Sequence, residues 1–509
     1  MECIGATRVE PRPVGHVISI AVPSGAVPAQ LFWLNRAVNG LRHARPEFSA
    51  ASGLWPWQRR MLAVLVLLVP ALAPSAPSAA FAAVLVVMGL PFFCVVLIRS
   101  YALWNIIKAP ASASGLGSIT TPVWPVAPES LPSYSILVAL YREADVAPAL
   151  VQAMAALDYP QNKLEIVFIT EADDDETRAA LDTSGMTGNM RVLVVPEGAP
   201  QTKPRALNFA LAVASGDMIA VYDAEDIPEP DQLLHAVAAF HSSPVPLACV
   251  QARLNVYNGG ASLAARQFML EYTALFDAIL PALACLGLPL PLGGTSNHFR
   301  REDLEAAGGW DPFNVTEDAD LGFRLARLGK TVGLIDSTTW EEAPVTLRGW
   351  LGQRTRWLKG WMQTYLVHMR QPKRLLAELG IKRFLGFQVL MAGLILSALV
   401  HPLFLGVVLL ELHGGTLLAA PGGELSRLVL GFGLCNLTAS YVSTMALSAV
   451  TSRRRGRGSL IASSFLTPLY WLAISVAAWR ALFELCWAPY HWEKTAHGAR
   501  PVTPGLAAP

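Results

Sequence analysis

Between residues 130 and 345, short apolar runs alternate with amphipathic stretches. "YSILVAL" (134–140), "LEIVFIT" (164–170), "MRVLVV" (190–195) and "MIAVYD" (218–223) are β-branched and apolar almost throughout. Such runs fit strands buried on both faces of a parallel sheet. Helical spacing fills the gaps at 146–157, 204–214 and 229–240, and the alternation predicts a doubly wound α/β domain. On either side the apolar runs lengthen. Residues 61–73 and 81–98 form an apolar hairpin around a Pro/Ser/Ala turn, and 387–410 and 428–450 are long enough to cross roughly 30 Å of hydrocarbon.

Composition agrees with a membrane protein. The 509 residues are 53% hydrophobic and 15% charged, against about 25% charged in soluble proteins. Arg59 and Arg60 precede the first span, Arg99 follows the second, and "SRRRGRG" (452–458) follows the fourth. The positive-inside rule then puts the N-terminus, 100–385 and 451 onward in the cytosol, and 411–425 outside. No removable leader is expected. Residues 459–487 are apolar enough to span, but Pro468, Arg480 and Glu484 favour an interfacial or re-entrant course. The six scattered cysteines, without a CxxC pair, fit a reducing compartment and no zinc. A net charge of +1 argues neither for nor against nucleic acid, and none is expected as a partner.

In an open α/β sheet, ligands bind beyond the carboxyl ends of the strands. Tyr141-Arg142-Glu143 follows the first strand. "EADDDE", with Glu171 and Asp173, follows the second, and "DAED", with Asp223, Glu225 and Asp226, closes the fourth. Two strands thus deliver carboxylates to one rim, which is unfavourable without a cation. Carboxylates completed by phosphate oxygens suit Mg²⁺ or Mn²⁺. Lys203, ahead of Pro204 at a helix start, suits phosphate. "NVTEDADLGFRLARLG" (314–329) places Glu317 and Asp318 at the start of a helix that ends at Gly329, where the dipole favours ionised carboxylate. "PLGGTSNHFRRED" (291–303) reads as a close backbone approach to a ligand, with His298 either a binder or a structural hydrogen-bonder.

"LGQRTRWLKGW" (351–361) mixes Arg354, Arg356 and Lys359 with Trp357 and Trp361. On a helix, Trp350, Trp357, Trp361 and Tyr365 share one face, and Gln353, Arg356 and Lys359 the other. This predicts an amphipathic helix flat on the membrane surface. Its Gln353, Arg356 and Trp357 could serve a diphosphate and a sugar ring.

The ordered set of an early acidic pair, "DAED", "TED" (316–318) and "QRTRW" (353–357) resembles the processive glycosyltransferase family 2 enzymes, the group of cellulose, chitin and hyaluronan synthases. It covers roughly residues 130–370 and the flanking membrane helices. "PYHWEKTAHG" (489–498) and "GGTSNHF" are most similar to bacterial β-glucan synthases. The resemblance implies a GT-A-like domain and assigns roles. Arg142, Glu143, Glu171, Asp173, Lys203, Arg356 and Lys494 would bind a UDP-sugar, with Lys494 in a tail that covers the nucleotide. Asp223 with Glu225 or Asp226 would hold Mg²⁺ or Mn²⁺. Asp318 would be the base, aided by Glu317. Gln353, Trp357, Asn297 and His298 would meet the acceptor. Glu225 at the third position of D-x-D and Glu-Ala-Asp in place of Asp-Asp depart from the pattern.

The expected protein is a multi-pass enzyme of a bacterial-type inner membrane with a cytosolic catalytic domain. It would polymerise a hexose, UDP-glucose being the first choice of donor, into a β-glucan. Its partners would be the UDP-sugar, the growing glycan and the bilayer, with cyclic di-GMP control left open. The rivals are a single-transfer enzyme acting on a lipid-linked acceptor and a transporter with a degenerate nucleotide-binding domain. The expected divisions are a poorly ordered cytosolic 1–58, a transmembrane hairpin 59–100, the catalytic domain 130–345, amphipathic interface helices 346–385, transmembrane helices 386–450, and an interfacial or spanning helix with its tail at 451–509.

Overall fold

A computed structural model describes residues 27–72, 77–108, 118–119, 128–415 and 424–492. Its strands are β1 (Ser118–Ile119), β2 (Tyr134–Leu140), β3 (Leu164–Glu171), β4 (Met190–Val195), β5 (Met218–Tyr222), β6 (Ile227–Pro228), β7 (Leu247–Val256), β8 (Asn297–Arg300) and β9 (Thr331–Glu341). They make one sheet in the order β1-β9-β7-β8-β5-β2-β3-β4, with β6 on β9. The four apolar runs are β2, β3, β4 and β5, parallel to one another as expected. The whole sheet is mixed, because β8 runs antiparallel between β5 and β7. Its sequence, Asn-His-Phe-Arg, carries no apolar run, so the pattern gave no sign of it.

The helices are α1 (Val27–Ala44), α2 (Pro56–Leu72), α3 (Pro77–Lys108), α4 (Ala147–Ala155), α5 (Asp175–Thr183), α6 (Lys203–Leu211), α7 (Gln232–Ser242), α8 (Leu263–Ala274), α9 (Leu280–Cys285), α10 (Arg301–Ala306), α11 (Glu317–Arg327), α12 (Leu347–His368), α13 (Pro372–Phe387), α14 (Leu394–His413), α15 (Glu424–Arg454) and α16 (Thr467–Trp487). The sheet is covered on both faces. One core gathers Tyr134, Ile136, Phe168 and Tyr222 with α4 and α7. The other gathers Val167, Ile219 and Phe299 with α6, α11 and Trp310.

The N-terminal region departs from expectation. Residues 27–58 are ordered: Ala37 of α1 is in the second core, and Asn208 Nδ2 donates to its carbonyl at 3.1 Å. Ser49 and Ala50 are bonded to the buried Asp311, the latter at 2.5 Å. The apolar side of α1 is short and interrupted by Asn and Arg, so its spacing was easily missed. Residues 1–26 lie outside the described set.

Five helical stretches among the described residues are long and apolar enough to cross a membrane: Gly89–Lys108, Leu263–Cys285, Pro372–His413, Arg427–Arg454 and Gly458–Trp487. The second is 72% buried within the protein, and its residues form a core with β7 and α12, so it belongs to the α/β body. Pro468 does not divide α16 but stands in its first turn, where a missing N–H costs nothing.

The α12 helix also departs from expectation. Rather than turning a polar face to solvent, it is buried on both sides. Trp350 and Lys359 are each 1% exposed, and Gln353, Arg354, Thr355 and Gly360 are buried too. It is wedged between α11 and α16. The amphipathic surface falls instead on α13, where Leu376, Ile381 and Leu385 are exposed beside Lys373, Lys382 and Arg383.

Candidate active site

The carboxyl ends of β2, β3 and β5 open on a cavity of about 840 Å³. Asp223 and Glu225 line it directly after β5, and Lys203 lines it from the first turn of α6. The Lys203 ammonium is paired with Asp223 and donates to the carbonyl of Gly294 at 2.8 Å. Gly294 belongs to the turn before β8, held by Gln251 and Asn297: the Gly293 N–H donates to Gln251 at 2.8 Å and its carbonyl accepts from Asn297 Nδ2 at 2.6 Å. A methyl at Gly294 would lie 3.4 Å from Asp318 Oδ2 and 3.8 Å from Asp223 Oδ2. The two carboxylates therefore flank the Gly294 backbone, each within ordinary contact distance of where a side chain there would begin.

Asp318 reaches this place from the opposite wall. Asn314 bonds Thr364 at 2.9 Å, and the Val315 N–H donates to Gln363 at 3.2 Å, which ties the loop before α11 to α12. Gly360 lets the helix and loop touch, since a methyl there would lie 2.7 Å from the Thr316 nitrogen. Below, Asp320 pairs with Arg324 at 2.5 Å and His368 at 3.1 Å, all fully buried. Burial raises the Asp318 carboxyl, opposed by the Ala319 N–H, Lys203 and Arg356. Burial and then Asp318 push Glu317 up to about 8, and burial and then Asp223 push Glu225 up to about 8. Burial favours loss of the Lys203 proton, but Asp223 and Glu317 outweigh it and hold the ammonium above its ordinary range.

This excess of carboxylate is what a divalent cation relieves. Among the described residues no three His, Cys, Asp or Glu side chains are drawn together as a ready coordination shell. One or two carboxylates beside an open Gly294 suit Mg²⁺ or Mn²⁺ completed by phosphate oxygens, with Asp223 and Glu225 as the fitting ligands. Asp226 does not line the cavity. It accepts from the Asp223 N–H at 2.6 Å and from Thr295, so it pins the loop from beneath.

The remaining candidates divide. Glu143, Glu171, Lys203, Gln353, Arg356 and Trp357 line the cavity with Glu317 and Asp318. Glu171 is 5% exposed and paired with Arg205, which leaves it little freedom for a ligand. Arg142 and Asp173 are exposed and do not line the cavity. Asp173 accepts from Tyr141 at 3.1 Å and from Gln201 at 2.9 Å. Asn297 and His298 are sheet residues rather than acceptor groups: His298 is fully buried, with Tyr134 2.8 Å from Nδ1 and Gln232 3.3 Å from Nε2. Desolvation drives its pKa down to about 3. Lys494 lies outside the described residues.

The tail expected over the nucleotide reaches the cavity through Trp492, whereas Glu341 and the far chamber carried no sequence signal. Trp492 lines the cavity and lies 4.2 Å beneath the Arg356 guanidinium, and Arg356 Nε is buried without a hydrogen-bond partner. The segment that carries Trp492 is tied to α12. Lys359 donates to the carbonyls of Ala488 at 3.2 Å and His491 at 2.9 Å, and Gln363 to that of Pro489 at 2.8 Å. Glu341, at the end of β9, is raised by burial and then by Asp226 and Glu225. The cavity also runs on between the long apolar helices, past Glu271 and Arg354, to Arg99, Ser397, His401, Thr444, Tyr470 and Trp471. No local motif marks these positions.

Residues 132–360 match the family model described as glycosyltransferase like family 2. The probable glycosyltransferase YdaM of Bacillus subtilis is 29% identical over 254 residues, 49% of this chain and 60% of that protein. A β-monoglucosyldiacylglycerol synthase of Synechocystis sp. is 31% identical over 268 residues, 51% of this chain and 55% of that protein. The chain thus spans little more than half the length of these curated relatives. Among solved structures, a mannosyltransferase from Pyrobaculum calidifontis, in complex with GDP-Man and Mn²⁺, superposes with a TM-score of 0.50. It is 19% identical and covers 80% of this chain and 99% of that one, a likeness of fold that makes the α/β body GT-A-like. Through residues 132–360 the chain is similar to the glycosyltransferases of family 2.

Proposed function

We propose that the protein is an inverting hexosyltransferase of a bacterial-type inner membrane, which polymerises glucose from UDP-glucose into a β-glucan and threads the product between its own helices. One observation carries this reading: the cavity that holds Asp223, Lys203 and Asp318 continues without interruption among α3, α14, α15 and α16. Its far part combines the rings of Tyr470 and Trp471 with buried polar atoms that have no partner, His401 Nδ1 and Thr444 Oγ1. Rings and unused hydrogen-bonding atoms suit a chain of sugars, whose faces are apolar and whose edges are hydroxylated.

In this reading Asp223 and Glu225 hold Mg²⁺ or Mn²⁺, which when bound neutralises charge on the leaving diphosphate. Lys203 and Arg356 face the same diphosphate as fixed cations, and Arg356 is freed for it when Trp492 gives up its place. Asp318 takes the proton of the acceptor hydroxyl as that oxygen attacks C1. Glu317 stays protonated beside it and limits the charge on the site. Trp357 carries the acceptor ring. The walls exclude water, which strengthens each of these interactions.

A second reading, one transfer to a lipid acceptor, draws support from the glycolipid synthases among the relatives and from the apolar helices beside the site. Incubating the purified full chain with a panel of UDP-sugars and metal, then measuring product length and linkage, decides between the two. A β-glucan of many residues supports the proposal. A single hexose on diacylglycerol overturns it.

A further inference from the structure

The wall between the acidic site and the far chamber carries a carboxylate with no assigned role. Glu271, on α8, lines the cavity with its side chain 35% exposed. It is held firmly. Arg354 Nη1 donates to Oε1 at 2.8 Å, Arg354 Nη2 lies 2.6 Å from Oε2, and the Tyr470 hydroxyl donates to Oε2 at 2.6 Å. Trp350 Nε1 in turn donates to the Tyr470 oxygen at 3.2 Å. The Arg354 guanidinium is 7% exposed on its side chain and lies 4.6 Å from the Trp357 ring centroid and 5.0 Å from that of Phe268. Trp357 is stacked on Tyr272 at 6.1 Å and 19°. Tyr272 is within electrostatic reach of both Arg354 and Asp318.

These contacts join the Tyr272–Trp357 stack to Arg354 and Glu271, in the same cavity that Asp318 lines. A charged carboxylate with this degree of exposure is not needed to fill the wall. One hydrogen bond from Arg354 and one from Tyr470 use about two of the four lone-pair positions a carboxylate offers, on a side chain that lines the cavity.

We propose that Glu271 is the acceptor-selecting carboxylate of this enzyme. It accepts hydrogen bonds from the hydroxyls of the sugar ring behind the one seated on Trp357. This rests on the reading of the cavity as a glycan path. The buried pair with Arg354 fixes the carboxylate in place before the acceptor arrives, so little ordering is lost on binding. A site built to bond a hydroxyl rejects a ligand that lacks it far more strongly than an apolar site does. Glu271 therefore favours a β-linked oligosaccharide over a single sugar or an acyl glycerol.

The test uses the full chain in detergent and calorimetric titration with cellotetraose and laminaritetraose, and separately with UDP and Mn²⁺. Glu271→Gln keeps the shape of the side chain but weakens its acceptor strength. The expected result is a tenfold or greater loss of tetrasaccharide affinity with UDP affinity unchanged, and partial recovery in Glu271→Asp. Tyr470→Phe, which leaves the carboxylate in place, should lose less. Unchanged tetrasaccharide affinity in Glu271→Gln overturns the proposal, as does equal loss of UDP binding, which would mark a structural role. A wild-type chain that binds neither tetrasaccharide overturns it too. Failure of the polymer reading appears separately, as a wild-type product of one hexose on a lipid.

Discussion

At the scale of single residues, the site is a balance of buried charge. In the proposed role Asp318 accepts a proton; burial raises its carboxyl, opposed first by the Ala319 N–H and then by Lys203 and Arg356. Asp318→Asn keeps shape and polarity but removes the base. Sugar transfer should fall by about 10²–10⁴-fold, measured as UDP release, with UDP affinity nearly unchanged. Activity above about a tenth of wild type would put the base elsewhere. Asp223→Ala should abolish metal-dependent UDP binding, and EDTA should stop transfer until Mg²⁺ or Mn²⁺ is restored; full turnover in EDTA would contradict this. His298 tests the other kind of polar residue. Its folded pKa of about 3 lies below its ordinary 6.5. Its contribution to stability is therefore complete above pH 6.5 and is lost as the pH falls towards 3. Melting of the full chain should drop from pH 6.5 to 4, and His298→Gln should flatten that slope. The variant should cost about 1–3 kcal/mol at pH 7, because Tyr134 loses its buried partner. An unchanged slope would show that other groups govern acid unfolding.

At the scale of elements, legibility followed from whether a feature is local. The β2 and β4 bounds were read directly, and β3 and β5 within a residue, since a strand buried on both faces must be apolar throughout. Asp223, Lys203 and Asp318 were legible because strand ends and helix starts are marked in sequence. The β8 strand was not, since its place depends on β5 and β7, which are distant in the chain. The burial of α12 was hidden for the same reason: Lys359 is tolerable inside because Glu484 stands 3.1 Å away on α16 and the carbonyls of Ala488 and His491 accept from it. Gly360 shows what this packing demands. In a free helix, Gly→Ala stabilises by about 0.5–1 kcal/mol. Here the added methyl presses on Thr316 and shifts the loop that carries Asp318. Displacement of that order costs about 10²-fold in rate, so Gly360→Ala should lose turnover while its affinity for UDP holds. Equal activity in the variant would mean that the loop yields without moving Asp318.

At the scale of the whole molecule, the α/β body meets the long apolar helices through α12 and α16. The α16 helix is long and apolar enough to span, yet α12 accompanies it from end to end. Trp350 bonds Tyr470 near the start of α16, Lys359 bonds Glu484 near its end, and Gln363 bonds the carbonyl of Pro489 beyond it. The α12 helix is itself fixed to the site by Thr364 and Gln363. We expect α12 to stay outside the hydrocarbon, and α16, bonded to it at both ends, to stay with it. The paired charges of Arg480 and Glu484, 2.9 Å apart, agree, since such charges are costly at bilayer depth. The α16 helix is therefore expected to lie in the cytosolic interface, with Trp492 delivered back to Arg356 from that side. In a chain freed of its six cysteines, His491→Cys should react with a membrane-impermeant maleimide only after the membrane is opened. Labelling in intact cells would make α16 a fifth crossing and would remove Trp492 from the cavity altogether.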